Sequence, residues 1–457
     1  MARSLLLHYG EHIAVYTVTG TLTLEGKQAV LCTLEAGQLR NGSVLLLCFF
    51  SKFLLPPVPL PISGYMFEGI TGEGYSISIT ERIEETNYLP EPSGNDLLEV
   101  AFDVNRMLVQ LVGNGKAHRA HYGITNFVYR NDFSLTLQHL SDTTVLAMKR
   151  VQNYEKITDR LLTLKDIDVT CEVVGDIPAN GYLEQLQRVV NDLCYLLSVA
   201  QGVKIVWVYC YQYDEDGICI SKTHVSSIAK RYGSLQIVGA RWDEMKVFIE
   251  GAYSSYVAQR EGYKLDAGTI GVYLDAKAEG DYLQLRGIKL AVTMEALKYV
   301  FLSLPLEPIS EKVDIPGLDE EVICKIRMAV RTVLTQEKMD IEEQNAICGK
   351  CSVFAPKKHK RHFGEVLKDI FKRIDLHVEE KDRELFVECR NALVHTGHFY
   401  CEVATLEQRK KHKPLPSGGD EYFFLVNILD KVFLKMLGYN GPYTDWSSLR
   451  PVYQEHV

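Results

Sequence analysis

Three polar residues suited to phosphate chemistry lie close together in the stretch "ECRNALVHTGHFYCE", Glu388–Glu402. Arg390 and Asn391 are adjacent, and His395 follows Asn391 by four residues, which is about one helical turn. Cleavage of RNA without a metal needs a base for the ribose 2′-hydroxyl and a cation for the charge that develops on the phosphate. Histidine and arginine can supply these two groups. DNA lacks the internal nucleophile, so a site of this kind would prefer RNA.

The sequence predicts that a helix over about residues 382–396 carries these three residues. At 100° per residue, Phe386, Cys389 and Leu393 form an apolar stripe, and the polar residues lie away from it. Gly397 ends the predicted helix and leaves the histidine in the last turn, where the helix dipole favours a protonated imidazole. The same spacing arises by chance on many helices, so taken alone it leaves a surface or structural role open.

Composition limits the class of protein that could contain this helix. The chain has 457 residues, of which 46% are hydrophobic, and a net charge of −9, which argues against coating nucleic acid by bulk electrostatics. Eleven irregularly spaced cysteines are typical of a reducing compartment. The first residues contain too short an apolar run for a signal peptide, and "VLLLCFFSKFLLPPVPLPI" is interrupted by Lys52 and prolines. We therefore expect a soluble cytoplasmic protein.

Hydrophobic periodicity predicts an α+β multidomain chain in three parts. Residues 1–150 read as a β-rich, sandwich-like or open-barrel domain, with strands in "HIAVYTVTGTLTLEG" and on both sides of an Asn41-Gly42 turn. Residues 151–285 read as a mixed α/β domain, in which a long helix stops at Gly202 before the strand "VKIVWVYCYQY".

Residues 286–457 read as an all-α bundle of about 170 residues. Five segments have the three-to-four spacing of amphipathic helices: "GIKLAVTMEALKYVFLSL", "LDEEVICKIRMAVRTVLTQ", "FGEVLKDIFKRI", "KDRELFVECRNALVH" and "DEYFFLVNILDKVFLKMLG". Proline, glycine or charged residues separate them. The polar triplet lies on the fourth of these predicted helices.

The segment "RNALVH", late in a helical region, resembles the R-x4-6-H signature of HEPN domains, including the polar residue that often follows the arginine. The order of helix, acidic linker and motif helix in "HFGEVLKDIFKRIDLHVEEKDRELFVECRNALVHTG" resembles the ApeA-like HEPN branch. Upstream, "LCYLLSVAQGVKIVWVYCYQYDEDG" and "YGITNFVY" are similar to the middle region of that family and to the end of its β-rich domain.

This resemblance implies an endoribonuclease of bacterial anti-phage defence or of a toxin-like system, and we expect it to need no cofactor. It assigns His395 as the acid–base residue, Arg390 as the phosphate stabiliser and Asn391 as the orienting group. HEPN domains usually dimerise, so a homodimer would form a composite site, and a phage-derived trigger would act through the N-terminal parts. Some HEPN proteins instead bind nucleotides or a partner without catalysis. A sensor with a vestigial bundle is a further alternative.

Two basic runs flank the motif in sequence and could guide RNA phosphates, although charge runs are usually solvated loops. These candidate RNA-binding residues are Lys357, Lys358, Lys360, Arg361, Arg409, Lys410, Lys411 and Lys413. The first run overlaps a weak candidate zinc set, formed by Cys348, Cys351, His359 and His362. Its spacing is unlike that of common zinc modules, so a plain loop is favoured.

Overall fold

The computed structural model describes most of the chain as a mixed α+β protein. The described residues are 11–24, 30–51, 65–79, 86–89, 97–111, 115–140, 142–164, 166–178, 182–226, 235–239, 242–265, 268–304, 312–315, 318–337, 339–350, 357–446, 452–454 and 456. Within them, a large antiparallel sheet occupies the first half of the chain and most helices lie in the second half. None of the described helices has the length and apolar character needed to cross a membrane.

Fourteen strands of the described residues form one sheet in which each ladder is antiparallel. They are β1 His12–Leu24, β2 Val30–Leu39, β3 Val44–Ser51, β4 Tyr65–Thr71, β5 Ser76–Ile79, β6 Thr86–Leu89, β7 Leu97–Val104, β8 Arg106–Gln110, β9 Arg119–Thr125, β10 Phe133–His139, β11 Asp142–Arg150, β12 Val169–Asp176, β13 Trp207–Tyr213 and β14 Cys219–Val225. Their order is β10-β11-β12-β9-β13-β14-β8-β5-β4-β1-β2-β3-β7-β6.

The first eight strands curl around a core of their own. Asn105 alone separates β7 from β8, yet β5, β4, β1, β2 and β3 lie between them in the sheet. The two ends of this run of strands must therefore approach each other. Phe102 of β7 and Met107 of β8 belong to one buried cluster with Val18 and Leu34. The predicted Asn41-Gly42 turn joins β2 to β3, and Gly42 has a φ of +92°.

The remaining strands, β9 to β14, form the part of the sheet that supports the helices. β9 lies between β12 and β13, so strands from both sides of residue 150 alternate there. The predicted long helix is α2, Leu183–Gln201, and it ends at Gly202 with a φ of +65°. A side chain at Gly202 would clash with the carbonyl oxygen of Leu235, at 2.3 Å from the Cβ position.

The structure confirms helices at all five segments with helical spacing in the C-terminal part. The described helices are α1 Tyr154–Leu164, α2, α3 Trp242–Gln259, α4 Thr269–Lys277, α5 Leu283–Leu302, α6 Glu320–Gln336, α7 Ile341–Lys350, α8 Phe363–Arg373, α9 Glu380–Thr396, α10 Tyr400–Val403, α11 Leu406–Lys411 and α12 Gly418–Met436. The five segments correspond to α5, α6, α8, α9 and α12.

The C-terminal part is not purely helical, contrary to the prediction. Two short antiparallel ladders interrupt it: β15 Lys312–Ile315 with β16 Lys357–Lys360, and β17 Tyr443–Asp445 with β18 Val452–Gln454. One buried cluster also runs from β9 through α2 into α5, α8, α9 and α12. The helices therefore pack on the sheet through a shared core, and the boundaries at residues 150 and 285 stay predictions.

Candidate functional site

The motif helix α9 packs in the register that its sequence predicts. Phe386, Cys389 and Leu393 are buried at 1% exposure or less, and they form the apolar stripe. The helix approaches α5 closely at Gly287, where a Cβ atom would lie 2.9 Å from a methyl group of Leu393. A small residue at this point allows the two helix backbones to come together and fixes the rotation of α9.

The end of α9 also follows the prediction. Gly397 has a φ of +73°, and its N–H donates to the carbonyl oxygen of Leu393 at 3.0 Å. This left-handed cap ends the helix and leaves His395 in the last turn. The side chain of His395 is exposed, and it has no hydrogen-bond or ion-pair partner within the residues that the structure describes. Its imidazole is free to meet a ligand or another chain.

Arg390 is held by three neighbours, two of which come from other helices. Its Nη1 donates to Oδ1 of Asn391 at 2.8 Å, and its Nη2 forms an ion pair with Glu295 of α5. The guanidinium lies over the ring of Phe363, the first residue of α8, with 4.7 Å between Cζ and the ring centroid. Only 12% of the Arg390 side chain is exposed, so these contacts set its orientation.

The polar groups of the motif residues differ in how far they are engaged by their neighbours. Because Oδ1 of Asn391 accepts from Arg390, the amide nitrogen of Asn391 remains available to donate to a ligand. Nε of Arg390 is buried and has no hydrogen-bond partner in the described structure. The structure therefore joins Arg390 to Asn391 directly and places His395 one turn further along the same helix.

Sequence reasoning missed Glu295 and Phe363 as parts of the site. Glu295 precedes Arg390 by 95 residues, and its contact depends on tertiary packing. One sequence signal was available, because Glu295 is the single acidic residue in the twenty residues of α5. An isolated carboxylate in an otherwise apolar and basic helix often marks a partner on a neighbouring element.

A buried carboxylate supports the corner after α9. Glu421 of α12 is fully buried and accepts from the backbone N–H groups of Tyr400 at 2.7 Å and Cys401 at 2.6 Å. Burial raises the pKa of Glu421, whereas these two backbone N–H groups oppose the rise. The carboxylate thereby anchors the start of α10 directly after the exposed end of the motif helix.

The second basic run lies beside α9, but its members differ in role. Arg409 donates to the carbonyl oxygens of Ala404 at 2.9 Å and Cys401 at 2.7 Å, and so it closes the α10 turn. The other basic residues of the run, Lys410, Lys411 and Lys413, are exposed. His412 approaches Glu384 of α9 at 3.6 Å, which places this segment along the motif helix, two turns before Asn391.

The structure gives less support to the first basic run as a contact for RNA. Arg361 pairs with Asp369 at 2.8 Å and donates to the Glu365 carbonyl oxygen at 2.8 Å, so it supports the first turns of α8. The backbone of Lys357, Lys358 and Lys360 forms β16, whereas their side chains lie outside the described residues.

The zinc candidates are only partly described. Cys348 is buried in α7, where its thiol donates to the Arg327 carbonyl oxygen at 3.8 Å, and His362 directly precedes α8. Cys351 and the side chain of His359 lie outside the described residues. Within the part of the chain that is described, no three His, Cys, Asp or Glu side chains form a metal site.

Exposed apolar side chains border the Arg390–Glu295 pair. Leu285, Val292 and Tyr299 follow one another at seven-residue intervals on α5 and are exposed. Val394 of the motif helix is exposed as well. A charged pair with exposed apolar residues nearby on the same two helices is a common composition for a surface that binds another protein.

No family model matches the chain, and neither a curated protein nor a solved structure matches it. The resemblance to HEPN domains therefore depends on the residues of this chain alone.

Proposed function

We propose that this protein is a metal-independent endoribonuclease of the HEPN type that acts in phage defence in a reducing cytoplasm. One observation carries the proposal: Arg390 is oriented by Asn391, Glu295 and Phe363, and exposed His395 follows one turn later. An oriented cation and a free imidazole on the same helix are the two kinds of group that phosphate transesterification requires.

The chemistry assigned to the site is an internal displacement on RNA. His395 takes the proton of a ribose 2′-hydroxyl, whose oxygen attacks the adjacent phosphorus. The bond from phosphorus to the 5′-oxygen breaks, and a protonated imidazole gives that oxygen its proton. The products are a 2′,3′-cyclic phosphate and a 5′-hydroxyl. Arg390 and the amide of Asn391 stabilise the negative charge on the non-bridging oxygens during the displacement.

This reaction favours a homodimer, because it uses one imidazole as base and a second as acid. Each chain has a single histidine on α9. A two-fold axis beside α9 would bring His395 and its copy to opposite sides of one phosphate. The exposed apolar residues Leu285, Val292, Tyr299 and Val394 could bury one another across such an axis. The N-terminal sheet would then respond to a phage-derived trigger.

The first test compares growing bacteria that express the wild type, His395→Ala or Arg390→Ala, with and without phage. Total RNA is separated on a denaturing gel. We expect discrete fragments and protection with the wild type, and at least a 100-fold loss of cleavage in both variants, because general acid–base catalysis contributes about 10²- to 10⁴-fold. Cleavage by purified wild type should persist in a chelator of divalent metals.

His398→Ala is the matched control for this experiment. His398 is exposed, lies three residues after His395 beyond the helix cap, and contacts Glu402 at 3.4 Å. We expect fragments from His398→Ala but not from His395→Ala. Equal fragments from all variants would contradict the catalytic assignment.

The alternative function is a non-catalytic adaptor that binds a nucleotide or a protein partner. The ion pair with Glu295 favours it, since a neutralised and mostly buried arginine is also what a structural contact produces. An adaptor predicts intact RNA in all samples, with protection retained in His395→Ala. The denaturing gel and the protection assay together separate the two functions.

A further inference from the structure

Three lysines beside the motif helix take no part in the catalysis proposed above. They are Lys410 and Lys411, the last residues of α11, and Lys413, which follows it. All three side chains are exposed, and none forms an ion pair within the part of the chain that the structure describes. They leave a local positive charge on a protein whose net charge is −9, and such a charge attracts a polyanion.

The backbone that carries these lysines is held in place by its neighbours. Arg409 donates to the carbonyl oxygens of Cys401 at 2.7 Å and Ala404 at 2.9 Å. The hydroxyl group of Tyr400, which is buried, donates to the carbonyl oxygen of His412 at 3.3 Å. The lysines therefore extend from an ordered support, so that only their own side chains lose freedom when they bind a partner.

The contact between His412 and Glu384 locates the lysines relative to the motif. Nδ1 of His412 lies 3.6 Å from Oε2 of Glu384, which is on the first half of α9. Asn391 follows Glu384 by seven residues and His395 follows it by eleven, so the three side chains leave α9 on the same side. The lysines therefore lie near the N-terminal end of the helix face that carries Asn391 and His395.

The two ends of this face are too far apart for a single phosphate. The rise of eleven helical residues places His395 about 16 Å from Glu384 along the axis of α9. Glu388 lies between them, one turn from Glu384 and one turn from Asn391, and its carboxylate disfavours a phosphate in the middle of the face. A strand whose scissile phosphate lies at the motif would therefore meet the lysines with phosphates that are a few nucleotides away.

The polyanion that fits both ends of the face is one unpaired strand of RNA. The proposed reaction places a ribose and its phosphate at His395, so the chain that continues from them towards the lysines is the same strand. Its 2′-hydroxyl must align with the leaving oxygen, which an unpaired backbone can do more readily than one held in an A-form helix. Lysines bind phosphates as point charges and do not read base sequence.

We infer that Lys410, Lys411 and Lys413 form a phosphate-binding subsite for single-stranded RNA, a few nucleotides away from the position of cleavage. This inference rests on the proposed function and adds the kind of substrate to it. The substrate must extend beyond the scissile phosphate on one side, and it is held there without regard to base sequence. The lysines contribute to the affinity for this strand and not to the chemical step at His395.

Binding of labelled RNA to the full-length protein tests the subsite. The probe is an unstructured oligouridine of twelve nucleotides, and each protein carries His395→Ala so that the strand stays intact. One variant combines Lys410→Gln, Lys411→Gln and Lys413→Gln. Fluorescence anisotropy at low salt should show at least ten-fold weaker binding by this variant. The slope of the logarithm of the binding constant against that of salt concentration should become shallower by about 2, since each single-strand phosphate contact contributes about 0.7.

A second triple variant in the same background, which removes the same charge from other elements, is the matched control. It replaces three exposed cations on the β9–β10 connection, on β11 and on α1 by glutamine: Arg130, Lys149 and Lys156. We expect the salt dependence of this variant to equal that of the parent protein. Equal slopes for the two triple variants would overturn the subsite, because the lysines would then act only through the net charge.

Cleavage kinetics with His395 intact check the distance between the subsite and the motif. For the twelve-nucleotide strand, the lysine variant should lose at least ten-fold in kcat/KM and keep its kcat. For a uridine dinucleotide, which is too short to reach the lysines, kcat/KM should be unchanged. An equal loss with both substrates would overturn the subsite. Absence of cleavage by the wild type would contradict the proposed function alone, since the anisotropy experiment measures the subsite without cleavage.

Discussion

Two ion pairs in the helical region have opposite surroundings. Lys277 of α4 and Asp430 of α12 are both fully buried, with Nζ at 2.9 Å and 3.1 Å from the two carboxylate oxygens. Tyr273 donates a further hydrogen bond to Asp430. The Arg390–Glu295 pair, by contrast, keeps 12% and 40% of its side chains exposed. The first pair is closed to water, whereas the second is partly open to solvent.

This difference separates a structural contact from a candidate functional one. Burial raises the pKa of Asp430, and Lys277 opposes the rise, so each charge needs the other inside the core. Glu295 has no comparable constraint, because 40% of its side chain is exposed. A phosphate that approached Arg390 would replace one anion by another and leave no buried charge alone.

Removal of one partner of the buried Lys277–Asp430 pair should lower the stability of the protein more than the other substitutions considered. Lys277→Met leaves Asp430 without its cation, and we expect the free energy of unfolding to fall by about 3–5 kcal/mol. Chemical denaturation followed by circular dichroism measures this change. Lys277→Met combined with Asp430→Leu should recover most of the loss, because neither charge then remains. A single substitution that costs less than about 1 kcal/mol would show that the pair is not closed to water.

Removal of the carboxylate from the partly exposed Arg390–Glu295 pair should, by contrast, cost little stability. Glu295→Gln keeps a hydrogen-bond acceptor for Arg390 but removes the compensating charge, so we expect at most about 1 kcal/mol of lost stability. On the proposed function, RNA should bind more tightly. The slope of the logarithm of the binding constant against the logarithm of salt concentration should steepen by the amount expected for about one additional phosphate contact. Fluorescence anisotropy with labelled RNA at several salt concentrations measures both quantities. Weaker binding with an unchanged slope would identify Glu295 as a support for Arg390 rather than a competitor of phosphate.

Glu421 differs from the carboxylates of both ion pairs. It is fully buried, and its described contacts are uncharged backbone N–H groups and thiols. Because the pKa of Glu421 is raised on folding, the folded protein binds the proton of this carboxyl group more tightly than the unfolded chain does. The stability gained from this proton is fully present below the pKa of the unfolded chain. It is lost as the pH rises through the pKa of the folded protein. We therefore expect the wild type to gain stability relative to Glu421→Gln as the pH falls from neutrality towards the ordinary pKa of a glutamate carboxyl group. Denaturation midpoints of both proteins across this range test the sign, and a relative loss at low pH would contradict it.

The sequence was sufficient for local features and insufficient for the contacts between distant elements. The apolar stripe of α9 and its end at Gly397 depend on helical period and glycine conformation, so both were predictable. The contact of Arg390 with Glu295 depends on how α5 and α9 cross, and no local pattern encodes this. The ladder at β16 was missed for a different reason, because "KKHK" has no alternation of apolar and polar residues.

Charge runs were the least predictable part of the candidate site. Arg361 and Arg409 look like neighbouring lysines in sequence, but both donate to backbone carbonyl oxygens. The planar guanidinium carries five N–H groups and can close a turn in a way that an ammonium group seldom does. Lys410, Lys411 and Lys413 therefore remain the better candidates for contact with RNA phosphates.

The position of β9 in the sheet has a consequence for synthesis on the ribosome. Its two neighbours, β12 and β13, follow it by about fifty and ninety residues. During translation β9 therefore leaves the ribosome well before either neighbour, while the curled strands β1 to β8 have most of their partners. The motif helix in turn needs α12 to complete its core. A nascent chain would thus acquire an ordered Arg390–His395 surface only late in its synthesis. On the proposed function, this order of events would limit damage to the messenger that encodes the protein.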